Sequence, residues 1–233
     1  MAASKKKTRR GRRTESPDQP LPASQRRSQA TTEHLLAAAE ALLREGGADA
    51  ATLRAIADRA GVSLGIVYRR FADKDAVLRA VYTRLFEQAA ASNARSLADE
   101  RVRSATITQL AGAIVAGIAE GYRVHRSLTR ALVLYARTHP DAEFRKRAAA
   151  LKESTFRQME RILESHAADI SHPHPDVAVP FALSAIVSLL QDRILFDDLS
   201  RQSVLSQAEL IAEATRMFLG YLGVPHRARA GDG

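Results

Sequence analysis

The chain contains no cysteine and no tryptophan, and its 233 residues include only seven Phe and five Tyr. Without thiols there is neither a disulfide framework nor a thiolate metal site, a composition suited to a reducing cytoplasm, which is the expected location. No run of about eighteen apolar residues occurs, so neither a membrane span nor a membrane partner is expected. The basic cluster KKKTRRGRR has no apolar segment behind it, so no secretory signal is expected there. Strand-like alternation bounded by turn signals is missing throughout. His172 and His174 lie among prolines without a cysteine or an acidic pair beside them, and no metal is expected there. Gly112 to Gly117 lacks the Lys-Ser/Thr pair of a phosphate-binding loop, and no cofactor is expected.

What is present is positive charge, unevenly placed. Of the formal +9, residues 1–30 hold nine Lys/Arg against two acids, residues 31–72 five of each, and residues 73–233 twenty-one against nineteen. The basic character is therefore mostly a tail. Residues 1–27 carry three of the eight prolines and no aromatic or β-branched apolar residue. Such a segment cannot bury enough apolar surface to offset its ordering entropy, so it is expected to be disordered. It serves as a solubilising leader or as an arm that touches phosphates.

From Thr31 onward the apolar residues recur with the period of a helix. Leu35, Leu36, Ala39, Leu42 and Leu43 share one face of a helix that stops at Gly46-Gly47. Thr52 caps a short helix ending at Gly61, Ser63 caps another, and Asp73 caps a long one striped by Val77, Leu78, Val81, Tyr82, Leu85 and Phe86. After a polar stretch near 96–104, helices follow along Ile107–Tyr122, Leu128–Tyr135 and from about Asp141 to His166. Two apolar ones, roughly 176–197 and 204–222, close the series. The fold class is all-α, with about nine helices.

The segment GVSLG, residues 61–65, fits the G-x-S-x-G of a serine hydrolase, with Ser63 as nucleophile. That elbow needs a strand running into the serine. TLRAIADRA stands there instead, an amphipathic helix with Leu53, Ile56, Ala57 and Ala60 on one side. No enzymatic activity is expected. A helix-turn-helix uses every residue: Ile56, Ala60 and Val67 join two short helices, Gly61 takes a left-handed conformation, and the Ser63 hydroxyl accepts from an amide of the next turn. Buried Val67 and Phe71 leave Leu64, Gly65, Tyr68 and Arg69 toward solvent, as on a helix that enters a major groove.

TLRAIADRAGVSLGIVYRRFADKDAVLRAV, residues 52–81, resembles the DNA-binding domain of the TetR family of bacterial transcriptional regulators, and ATTEHLLAAAEALLREGG resembles the helix before it. The resemblance implies DNA contacts at Thr52, Ser63, Leu64, Gly65, Ile66, Tyr68, Arg69, Arg70 and Lys74. Thr52, Tyr68 and Lys74 are implied at phosphates, and base reading is implied for Leu64, Gly65, Ile66 and Arg69. Arg70 fits a base edge or the backbone equally. Ile66 departs from the family, which commonly has Thr there, and is left to pack on a thymine methyl.

The implied organisation is a basic tail (1–27), a three-helix helix-turn-helix domain (28–75), an effector-binding and dimerisation domain (76–225) and a flexible end (226–233). Tyr122, His125, Arg130, Tyr135, Phe156 and Met159 are the candidate effector-pocket residues. The implied homodimer interface is made chiefly by the last two long helices, whose stripes, Val177, Phe181, Ser184, Val187 to Leu195 and Leu205, Ile211, Thr215, Phe218, Leu222, are broad enough to pack two partners. The expected function is a dimeric repressor, released from a palindromic double-stranded DNA operator by a small-molecule effector. A basic protein binding DNA through its tail alone is the alternative of another class.

Overall fold

The computed structural model describes residues 23–197 and 205–225, and these are helical, without a strand among them. The expected tail falls largely outside the described residues, as do residues 226–233. The tail's last residues are helical: α1 spans Ala23–Ala50, starting ahead of Thr31. Its regular course ends where the glycine pair was expected to end it. Gly47 has φ +66° and ψ −160°, and the chain continues past this kink for one more turn to Ala50. A side chain at Gly47 would be strained whatever the space around it.

The short helices α2 (Leu53–Arg59) and α3 (Leu64–Tyr68) follow, then α4 (Lys74–Ala98). The polar stretch after α4 contains a one-turn helix, α5 (Glu100–Arg103), capped by Asp99, where no helix was expected. Its four residues are too few to show a periodic stripe. Next come α6 (Ile107–Val124), α7 (Arg126–Thr138), α8 (Ala142–Glu164), α9 (Pro175–Leu195) and α10 (Gln207–Tyr221). Capping boxes open α6 at Thr106/Gln109 and α10 at Ser206/Glu209.

Two apolar cores organise these helices. The first unites Leu35, Leu43, Ile56, Val67, Phe71 and Val81 with Leu128, Leu132 and Phe144, so α7 and the start of α8 complete the core begun by α1–α4. The second gathers Val115, Ile118, Leu163, Ile186, Leu190 and Phe218 from α6, α8, α9 and α10. Helix α9 is 21 residues with a mean hydropathy of 1.5 over its most apolar window, long and apolar enough to cross a membrane by length and composition. Here it is a core helix, with Ala178, Val179, Ala182, Leu183, Ile186, Val187 and Leu190 all buried. Interrupting polar residues such as Ser184 and Ser188 hid that length from a search for unbroken apolar runs.

Of the stripes read for pairing along α9 and α10, Val177 and Phe181 are 61% and 59% exposed, whereas Val187, Leu190, Phe218 and Leu222 are buried in the second core of the single chain. On α10 Met217 and Tyr221 are exposed too, and the Phe181 and Tyr221 rings lie 5.3 Å apart. An apolar surface spanning both helices is left without cover in the single chain.

Candidate nucleic-acid interface

Helix α2 starts where the Thr52 hydroxyl accepts from the Ala55 amide at 3.1 Å. It ends in a Schellman motif: Gly61, at φ +65°, donates to the Asp58 carbonyl (3.2 Å), and Val62 donates to that of Ala57 (3.0 Å). Val62 is thereby half-buried beneath the turn, and Val67 and Phe71 are buried as expected. Outside the motif, Arg59 grips Glu45 through two hydrogen bonds of 2.6 Å, tying α2 to the end of α1. This bridge is exposed and contributes little stability; the packing of α2 on α1 is set by the buried core around Leu43 and Ile56.

Ser63 occupies the N-cap position of α3 in extended backbone conformation, yet its hydroxyl accepts no capping hydrogen bond. The expectation of a side-chain cap is corrected: the Ile66 amide bonds to the Ser63 backbone carbonyl at 2.9 Å, closing the first turn in tight 3₁₀ fashion. The hydroxyl is exposed on the same rim as Gly65. The residue run before Ser63 is α2, in the place of the strand that a nucleophile elbow requires.

Helix α3 presents Gly65, Tyr68 (56% exposed) and Arg69 to solvent, and Leu64 and Ile66 are half-buried. Leu64 packs partly on the core cluster, which a solvent-facing assignment had missed. Arg70 follows the helix and donates through Nη1 to the Ser28 hydroxyl of α1. Lys74 begins α4 directly after Asp73, whose carboxylate accepts from the Ala76 amide at 2.7 Å. The helix-turn-helix candidates from Thr52 to Lys74 thus lie on α2, α3 and the start of α4, joined by short turns.

One group that the sequence did not single out binds this unit to the remainder of the chain. Asp75 accepts from the Tyr135 hydroxyl, from Arg79 Nε at 2.6 Å, and from His139 Nε2 at 2.7 Å. His139 is buried, and its Nδ1 accepts from the Asp141 amide at 3.1 Å, which leaves the ring proton on Nε2 facing Asp75. Arg79 also reaches Asp141 at 2.8 Å, and Asp141 caps α8. The first turn of α4 is therefore anchored on the α7–α8 corner. The partners lie about sixty positions apart in sequence, beyond any local signal.

Burial by itself would raise the Asp75 carboxyl, but hydrogen bonds from Tyr135, His139 and Arg79, with the Arg79 charge, hold it at about 2. The folded value lies below the ordinary 3.8, so this contribution to stability is complete above pH 3.8 and is lost as the pH falls through about 2. Replacing Asp75 by Ala leaves the buried His139 without its acceptor, and about 1–3 kcal/mol of stability is expected to go. Urea unfolding across pH checks this: the gap between wild type and Asp75→Ala should be full above pH 3.8 and close toward pH 2.

The six candidate pocket residues do not converge. Tyr122, Phe156 and Met159 meet at the second core, where burial pushes the Tyr122 hydroxyl up to about 12. Tyr135 belongs to the first core and to the Asp75 network. His125 is exposed at the α6–α7 junction, and the Arg130 guanidinium stacks over the Phe196 ring at 5.3 Å. Helical registers alone could not separate these sets, since the split follows from which helices pack together.

Residues 35–81 match the family described as "Bacterial regulatory proteins, tetR family". No curated protein sequence matches the chain. Among solved structures, a bacterial regulatory protein in the tetR family from Rhodococcus RHA1 is 22% identical, with 84% of this chain and 98% of that one covered and a TM-score of 0.61. The transcriptional regulator FadR from Bacillus subtilis, in complex with stearoyl-CoA, is 15% identical over 83% of this chain and 99% of its own, with a TM-score of 0.62. SmeT, the repressor of the Stenotrophomonas maltophilia multidrug efflux pump SmeDEF, is 20% identical over 88% and 98%, with a TM-score of 0.59. A domain that matches the tetR family at residues 35–81 is thus carried on an all-helical fold shared with these regulators.

Proposed function

We propose that the protein is a dimeric transcriptional repressor that binds a palindromic operator and is released by a small-molecule effector. The observation that carries this reading is α3, a short helix held by the Gly61 turn and presenting Gly65, Tyr68 and Arg69 outward. Leu64, Gly65, Ile66 and Arg69 read bases, Thr52, Ser63, Tyr68 and Lys74 hold the backbone, and Arg70 lies between the two sets. The uncovered face of Val177, Phe181, Met217 and Tyr221 supports pairing of two chains through α9 and α10, since a single five-residue reading helix binds weakly alone. Residues 28–75 form the reading domain, and residues 76–225 form the regulatory one.

The effector enters beside Tyr122, Phe156 and Met159, on helices that pack around the second core. It acts by favouring a separation of the two α3 helices that misfits the operator. The Asp75 anchor gives such a shift a path, because the α7–α8 corner holds the turn of α4 that bears Lys74. A typical coupling of about 1–3 kcal/mol changes operator affinity by roughly five- to 150-fold. FadR supports a ligand in this fold, its structure being a complex with stearoyl-CoA. Selection from random duplex DNA tests the reading. A defined sequence should be enriched, and the enrichment should be lost with Tyr68→Ala and Arg69→Ala; a pool that stays random would overturn it.

A further inference from the structure

An open cleft of about 490 Å³ lies between the beginning of α1 and the helix-turn-helix, lined by Thr31, Val62, Ile66, Arg69 and Arg70. Two guanidinium groups and no carboxylate line it. The two arginines are adjacent in sequence but differently held. Arg70 donates through Nη1 to Ser28, 42 positions earlier on α1, whereas the Arg69 guanidinium makes no hydrogen bond or ion pair among the described residues. Held at one nitrogen, Arg70 retains the other donors of its planar fork, the geometry that matches two oxygens of a phosphate. A side chain already fixed against α1 also loses less rotamer freedom on binding than a free one.

We propose that this cleft seats one backbone phosphate of the operator, gripped by Arg70 with Ser28 as its positioning residue, and that Arg69 is left to read a base edge. The assignment rests on the reading of α3 as the DNA-contacting helix. It separates the two arginines, which the sequence treats alike, and it adds α1 to the interface.

The test uses the full chain and the duplex enriched by selection, with affinity measured from 50 to 200 mM salt against that duplex and against single-base-pair variants. Arg70→Ala should weaken binding to every duplex alike and make the slope of log affinity against log salt shallower by about 1.8 per dimer, the release of one phosphate's counterion in each half-site. Arg70→Lys should keep the wild-type slope at reduced affinity, as a point charge without the fork. Ser28→Ala should lower affinity without changing base preference, and Ser28→Thr should restore it. Arg69→Ala should erase a preference of roughly five- to 150-fold at one base pair of each half-site. Thermal unfolding of each variant separates misfolding from lost contact. The proposal is overturned if Arg70→Ala alters base preference while the salt slope stays put, or if Ser28→Ala binds as wild type does. A wild-type chain without sequence preference would instead sink the reading of α3, and the cleft assignment with it.

Discussion

Phe181→Glu is expected to separate the protein into monomers and to abolish operator binding at concentrations where wild type is saturated. Phe181 is 59% exposed in the single chain, next to Val177 and in ring contact with Tyr221. Burial of a large apolar side chain stabilises by about 1.5–3 kcal/mol, and two-fold symmetry counts the loss twice. Even before the cost of desolvating a carboxylate, that amounts to about 3–6 kcal/mol, or roughly two to four powers of ten in the dimer's dissociation constant. Sedimentation velocity and operator titration should shift together. Because the side chain is outside both cores, the fold itself should persist, with an unchanged helical spectrum. A variant that remains dimeric would remove α9–α10 as the interface.

The second large effect concerns stability. Phe218 is 1% exposed and the bulkiest of the fully buried side chains, in the core that joins α6, α9 and α10. Truncation to Ala removes its transfer energy and leaves a cavity that three packed helices cannot close. A loss of about 3–5 kcal/mol is expected. For a chain of this size it should lower Tm by roughly 6–20 °C, as differential scanning calorimetry would show. Phe218→Leu should recover much of the loss by keeping most of the volume. A Tm shift of a degree or two for Phe218→Ala would mean that this core is not packed as described.

These two residues also mark what the sequence could and could not say. The stripe along α10 marked Phe218 as one face of the helix, because such a face repeats every three to four residues, but that face packs into the chain's own core and not against a partner. For Phe181 the period could not separate the inward from the outward face, because its helix is apolar nearly all round, and only the packed structure shows it exposed. The helix-turn-helix was legible because its determinants are local. Gly61 ends α2, Thr52 and Asp73 cap their helices, and Val67 and Phe71 sit one turn apart.

Even there, the Ser63 hydroxyl takes no part in the capping assigned to it, as residue type sets a preference and backbone geometry decides. The Asp75–His139–Asp141 network was not legible. Its members look like ordinary surface charges until α7 and α8 fold against the start of α4. The Ser28–Arg70 contact, across 42 positions, was hidden for the same reason.

On the proposed function, two copies of α3, fixed by pairing through α9 and α10, read two equivalent half-sites. Hydroxyl-radical footprinting on the selected duplex, combined with the mass of the complex, probes this arrangement. Two symmetry-related protected patches, centred about 34 Å or a multiple apart and occupied by two chains or a multiple of two, are predicted. One asymmetric patch occupied by a single chain would contradict it.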